Sequence, residues 1–317
     1  MREIDVTDYL APYRPRRVRR PVRLRLTDDT YPLEPTPKES WLPIAFRAFA
    51  RLAGRISVRD ALIVGTGNGL DALGAAEIFP LESLAVTDLF EASLAVSRDN
   101  VLAHLDDSDG LDVSFHAGDL LTCVPPERRF DLIYENLPNI PATPEIELER
   151  GINTGRFFEA GGLDTPEPFE RYLLALHYRL LGDAWDHLRG GGGVLTALGG
   201  RIPQHVAFEL HRACGYRPQL VAFDMKRQVE PGLGIPAYAR AEQETGLEFV
   251  FYAPEAIDLV TEGRRTGLDG QELVDAVAPE LALLAMSAGE ALERSERGQP
   301  VAHSVLMIFG ERPAGTP

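Results

Sequence analysis

The sequence predicts an α/β fold built on a doubly wound, mostly parallel, seven-stranded sheet, with an N-terminal arm and a C-terminal helical insertion. Three observations carry this. Short continuous apolar runs recur along the chain, the first being Ala61-Leu62-Ile63-Val64, and such runs suit strands buried on both faces. Segments of helical length and spacing separate them, the pattern of parallel strands joined by crossovers. A glycine cluster, Gly65-Thr66-Gly67-Asn68-Gly69, follows the first run directly.

The elements follow in order. Residues 1–40 are irregular and rich in proline and arginine, but the alternation Val22-Arg23-Leu24-Arg25-Leu26 predicts a strand. Trp41, Ile44, Ala45, Phe46, Phe49 and Leu52 recur at near-helical spacing and predict a helix over 41–55. After the first strand a helix runs to about Phe79. Ser83–Asp88 is a second strand, Glu91–His104 a helix, Val113–His116 a third strand and Phe130–Glu135 a fourth. Residues 136–166 read as a long loop over the sheet edge, where binding residues concentrate. A helix over 167–189 is expected to end at Gly190–Gly193. Val194–Leu198, Tyr216–Met225, Glu248–Tyr252 and Ser304–Phe309 complete the strands, with helices over Pro203–Ala213 and 271–295. The expected division is 1–55 as arm and helix, placed to act as a lid, and 56–317 as the main domain with a helical insertion at 254–300.

Composition narrows the function classes. The 317 residues carry a net charge of −16, which argues against general nucleic-acid binding because phosphate is repelled. No apolar stretch reaches the ~18 residues of a membrane span, and no secretory signal opens the chain, so a cytoplasmic protein without a membrane partner is expected. Cys123 and Cys214 read as reduced thiols, and the histidines show no metal-ligand spacing, so no metal is expected. Arg14, Arg16, Arg17, Arg19, Arg20, Arg23 and Arg25 run against the overall charge. They read either as an arm touching an anionic partner or as an edge packed on an acidic body. The oligomeric state stays open, a homo-oligomer included.

The glycine cluster carries the chemistry. Such a turn lets a backbone approach a nucleotide without Cβ clash. Asp88 ends the second strand, where a carboxylate reaches ribose hydroxyls, and Asp119 follows the third, where its side chain or the Leu120 amide can meet an adenine edge. Leu70 follows Gly69, so the dehydrogenase GxGxxG spacing fails, and the loop has no P-loop lysine.

In VGTGNG, VTDLF, HAGDLL and FDLIYENLPN the chain resembles class I methyltransferases. The resemblance implies S-adenosyl-L-methionine as cofactor, held by Gly65, Thr66, Gly67, Gly69, Asp88, Leu89, Asp119, Leu120 and Asn136. It places Asn136, Pro138 and Asn139 at the transferred methyl group. The glutamine and amino methyltransferases carry Asn-Pro-Pro-Tyr there, the Asn and an adjacent carbonyl accepting hydrogen bonds from a planar amide or amine. Here Leu137 replaces the first proline and Asn139 the aromatic residue.

A second resemblance, running from Leu198-Gly199-Gly200-Arg201 to Ala302-His303-Ser304, is to the methyltransferase domain of methionine S-methyltransferases. It implies L-methionine as a small-molecule acceptor, S-methylmethionine as product, and a place in dimethylsulfoniopropionate synthesis. A thioether needs no general base, only alignment and exclusion of water. Its carboxylate needs a cation, for which Arg201 is the first candidate and Arg156 a second. Glu135 can accept from the amine, and Tyr31 from the arm can face a sulfonium. The leading expectation is therefore methionine S-methylation; the alternative is N-methylation of an amide or amine on a protein or metabolite. A carboxyl- or O-methyltransferase and a catalytically silent binding module are further readings.

Overall fold

The computed structural model describes residues 2–27, 30, 33, 36–37, 40–106, 110–139, 165–228 and 231–315. The chain runs β1 (Arg2–Asp5), α1 (Thr7–Leu10), β2 (Arg23–Leu26), α2 (Leu42–Ala53), β3 (Asp60–Val64), α3 (Leu70–Ile78), β4 (Ser83–Asp88), α4 (Glu91–His104), β5 (Asp112–Ala117) and β6 (Phe130–Glu135). It continues through α5 (Glu167–Arg171), α6 (Ala175–Ala184), β7 (Leu188–Gly200), α7 (Gln204–Ala213), β8 (Arg217–Arg227), α8 (Pro231–Thr245) and β9 (Phe251–Tyr252). The last elements are α9 (Glu255–Arg265), α10 (Gly270–Leu284), β10 (Ala285–Met286), α11 (Ala288–Glu296) and β11 (Ala302–Glu311).

The main sheet has the order β5-β4-β3-β6-β7-β11. β3 to β7 pair in parallel, while β11 runs antiparallel to both β7 and β8. This is the expected doubly wound, mostly parallel sheet. It is wider than seven strands because the two-residue β9 and β10 extend it beside β11. The runs of β3, β4 and β6 are buried almost throughout, as parallel strands covered on both faces must be, whereas β5 at the sheet edge is half-exposed. One apolar layer joins the arm, α2, α3 and α4 to one face; the other joins α6, α7 and α8 to the opposite face.

Strand alternation decides what each face receives. Tyr134 of β6 meets Phe49 of α2, rings 5.0 Å apart and edge-on, while its neighbour Glu135 turns to the other face and meets His177 of α6.

The arm is docked against the body. Val22, Leu24 and Leu26 are buried and Arg23 and Arg25 exposed, as the alternation predicts. The Glu77 carboxylate accepts the backbone N–H groups of Arg16, Arg17 and Val18 at 2.8–3.0 Å. Asn100 of α4 pairs with Arg25 as a strand would, through both its N–H and its C=O. The same Asn100 amide donates to Asn68 O inside the glycine loop, so the arm is tied to that loop through one side chain.

Several expected boundaries move. Gly190–Gly193 lies inside β7 and does not terminate a helix; Gly193 sits too close to Gly310 O and the Phe309 ring for any side chain. The helix expected over 167–189 breaks at Tyr172–Leu174, where Leu173 has φ +62°. The helix expected over 271–295 is interrupted by Ala285–Met286, which pairs with β9. Of Glu248–Tyr252 only Phe251–Tyr252 is a strand.

Candidate functional site

β3 delivers the glycine loop to the C-terminal edge of the sheet, beside the ends of β4 and β6. Gly65 and Thr66 donate to Thr87 O at 2.9 and 3.2 Å, fixing the loop to β4. Gly67 and Gly69 have φ of +59° and +88°, a region in which an L side chain is strained. Nothing lies within 4 Å of where a Gly67 Cβ would be, whereas a Gly69 Cβ would meet Ser97 Oγ and Val101 Cγ2 at 2.9 Å. Gly67 therefore borders open space, and Gly69 is a packing site at the start of α3.

Asp88 holds the turn from the side. Its Oδ2 accepts Gly67 N–H at 3.0 Å and its Oδ1 accepts Phe90 N–H at 3.1 Å. Burial raises its pKa against the lowering effect of those bonds. Leu89 is half-buried, and the Phe90 ring beside it is 42% exposed. Asp119 is engaged by Arg179 of α6 at 2.5 Å, a partner 60 residues away that spacing does not show. Its side chain keeps 38% exposure. Leu120 has φ +50°.

Below the loop Asp71 is fully enclosed. Burial pushes its carboxyl up to about 7, although Thr66 Oγ1 at 2.7 Å and Ala72 N–H at 2.8 Å donate to it.

The segment after β6 is the second half of the site. Asn136, Leu137 and Pro138 are half-buried. The Asn136 carboxamide has no hydrogen-bond partner among the described residues. Leu137 lies over the glycine loop, its Cδ2 3.6 Å from where a Gly65 Cβ would stand. Asn139, expected at the methyl group, is instead largely buried: its Nδ2 lies 3.4 Å from Gly199 O and its backbone O accepts from Tyr238 at 3.0 Å.

Glu135, expected to accept from an acceptor amine, is 0% exposed and engaged within the fold. Oε1 meets His177 Nδ1 at 2.9 Å, and Oε2 accepts Leu137 N–H at 3.0 Å. Beside it His211 bridges Ala207 O and Thr196 Oγ1, and burial lowers its pKa to about 4. Neither histidine stands in a recognisable motif; the period-2 alternation of β6, which turns Glu135 inward with Ile133, is the one available signal.

Arg201 follows β7 and is 7% exposed. Its Nε and Nη2 donate to Gln228 Oε1 at 3.1 and 3.0 Å, and Nη2 lies 3.1 Å from His303 Nε2. Tyr31 and Arg156 lie outside the described residues.

No family model matches the chain. It is 31% identical to a release factor glutamine methyltransferase of Deinococcus radiodurans, over 62% of this chain and 64% of that protein. It is 28% identical to a release factor glutamine methyltransferase of Koribacter versatilis, over 50% and 53%. A ribosomal protein uL3 glutamine methyltransferase of Bradyrhizobium diazoefficiens is 31% identical over 45% and 41%. The chain thus spans less than two thirds of the length of these relatives. Among solved structures it is similar to a putative methyltransferase of Bacillus halodurans, with 14% identity and a TM-score of 0.43 over 85% of this chain and 99% of that one. The mixed α/β architecture is the mostly parallel sheet expected from the sequence, and these sequence relatives are named for glutamine as methyl acceptor. Among the described residues no helix is long and apolar enough to cross a membrane.

Proposed function

We propose that this chain is an S-adenosylmethionine-dependent methyltransferase acting on the side-chain amide nitrogen of a glutamine in a protein. The observation that carries the reading is Asn136: a carboxamide at the end of β6, beside the glycine loop, half-buried and without a partner among the described residues. The named activity of the relatives supports the same acceptor. They lend no support to methionine S-methylation, and the amide reading replaces it.

The residues fit the cofactor. Gly67 leaves open the space that a Cβ would fill, and Asp88 stands at the end of the neighbouring strand, where a ribose would lie. Gly65, Thr66, Leu89, Asp119 and Leu120 complete the cradle. When bound, S-adenosylmethionine supplies an electrophilic methyl group. The chain's own part is positioning. Asn136 Oδ1 accepts an N–H of the acceptor amide and turns its nitrogen toward the glycine loop. Leu137 and Pro138 screen that nitrogen from water. Asn139 stands where the Asn-Pro-Pro-Tyr pattern that the sequence resembles carries an aromatic residue; it provides no ring, so orientation rests more heavily on Asn136.

Two alanine variants separate cradle from scaffold. Gly67→Ala should lose affinity for S-adenosylmethionine by about ten- to a hundredfold, since a methyl group enters the contact surface, and lose only about 1 kcal/mol of stability. Gly69→Ala should lose about 2–3 kcal/mol of stability through strain and overlap with Ser97 and Val101. Calorimetric binding and urea unfolding of both proteins check this; equal affinity in Gly67→Ala and parent contradicts the cradle.

The acceptor is tested by mass spectrometry of the purified chain with S-adenosylmethionine and three substrates: a peptide-chain release factor, a glutamine peptide, and free methionine. One added methyl group on a glutamine amide nitrogen is the expected product. A methionine product with a fixed positive charge, and no amide product, overturns the reading.

A further inference from the structure

Arg201 is a buried cation with no carboxylate partner among the described residues. Arg47 and Arg264, which also face inward, both end on Asp224, and Arg47 reaches Asp269 as well. Arg201 ends on neutral groups only: the Gln228 carbonyl oxygen, the His303 ring and the Tyr238 face, whose centroid lies 5.7 Å from Cζ. The His303 tautomer follows from its contacts. Nδ1 lies 2.9 Å from Ser304 O and donates to it, leaving Nε2 as a lone pair that accepts from Arg201. Burial and the Arg201 charge hold this ring neutral, with its pKa well below the ordinary histidine value. Lys226 adds a second positive charge to the same corner.

A guanidinium has five N–H donors. Those on Nε and Nη2 are used by Gln228 and His303, the Tyr238 hydroxyl is the other hydrogen-bonding neighbour, and all of these partners are neutral. Nη1 lies directly over Gly199, in the place a side chain would occupy, and Asn139 Oδ1 is 3.6 Å from the same point. Gly199 is thus covered by the Arg201 guanidinium, with the Asn139 carboxamide beside it. It sits at the end of β7, the strand beside β6, whose end carries Asn136. A buried charge held by neutral groups is costly unless something completes it, and a guanidinium edge is matched by a carboxylate.

We propose that Arg201, with Asn139 beside it, binds a carboxylate of the methyl acceptor. The carboxylate comes either from the acceptor amino acid itself or from an acidic residue flanking the glutamine in a peptide. The inference rests on the reading above only in placing the acceptor at the ends of β6 and β7. It adds a rule of selection: the acceptor must present an anion next to the group methylated.

The test measures binding without methyl transfer, so it is separate from the identity of the methylated atom. Calorimetry on the full chain saturated with S-adenosylhomocysteine compares two ligand pairs. L-Glutamine against L-glutaminamide reads an α-carboxylate; N-acetyl-Asp-Gln-Asp-amide against N-acetyl-Asn-Gln-Asn-amide reads acidic flanks. In at least one pair the carboxylate ligand should bind about ten- to a hundredfold tighter, and the pair that shows it names the source. In Arg201→Met the preference should vanish; in Arg201→Lys, which keeps the charge without the fork, it should fall partway. Absence of a carboxylate preference in both pairs, with or without measurable binding, overturns the proposal. So does a preference that survives Arg201→Met, or an equal loss of S-adenosylhomocysteine affinity in that variant, which would assign Arg201 to the cofactor's own carboxylate. The ligand pairs use the unaltered protein, so the proposal stays testable if the variants fold poorly. A carboxylate preference without any methylated amide would leave this site standing and remove the amide reading.

Discussion

Asp71→Asn is expected to flatten the pH dependence of stability between about pH 4 and pH 7. The folded chain holds the Asp71 proton up to about pH 7 because the carboxyl is fully buried, whereas the unfolded chain releases it near its ordinary value of about 4. A raised folded pKa means stability that is fully present below the unfolded value and is lost as pH rises toward the folded one. Across some three pH units the loss is on the order of 4 kcal/mol. Above pH 7 both states are ionised and the contribution stops changing. Asparagine has no proton to release, yet keeps the oxygen to which Thr66 Oγ1 and Ala72 N–H donate. Urea unfolding of parent and variant from pH 4.5 to pH 7.5 reads the difference directly. The variant should gain on the parent steadily across that window; parallel profiles would mean that Asp71 is already ionised under the glycine loop.

The parts of this protein that could be read from the chain are those whose cause is local. β3, β4 and β6 appear as apolar runs closed by turn residues, because parallel strands are buried on both faces and carry no polar alternation. The glycine loop is legible because Gly67 and Gly69 take left-handed backbone angles that other residues avoid. What failed depends on pairing between distant segments. Gly190–Gly193 resembles a helix end in isolation, but tight packing against β11 makes it strand. Ala285–Met286 has helical neighbours on both sides and leaves the helix only because β9 offers a partner. The same holds at the site. Arg201 is visible in the sequence as a cation after a strand; that its neighbours are Gln228 and His303 depends on where β8 ends and β11 begins. Asp119 stands where an adenine contact was expected, and its ion pair with Arg179 comes from a helix that the sequence alone does not bring near.

Glu135 is the sharpest instance, and Glu135→Ala should lower the unfolding free energy by about 3–5 kcal/mol. The side chain is fully enclosed and serves two donors at once, His177 Nδ1 and Leu137 N–H. Removing it strands both in a space where His177 Nε2 already has no partner, and a half-broken buried polar pair is worse than none. The double variant Glu135→Leu, His177→Leu tests that logic. It replaces the pair with apolar groups on a face already lined by Ile133, Leu180 and Leu181, so most of the lost stability should return. Activity should not return with it. Leu137 N–H would still lack its acceptor, and this bond fixes the turn that presents Asn136. Unfolding by urea and steady-state kinetics on all three proteins separate the two effects: stability recovered with acceptor KM still raised is the expected pattern. A double variant as unstable as Glu135→Ala would show that packing, not the unpaired polar atoms, sets the loss. Recovery of full activity would show that the turn after β6 holds its shape without Glu135, and the positioning role would then fall to the Tyr238 bond at Asn139 O.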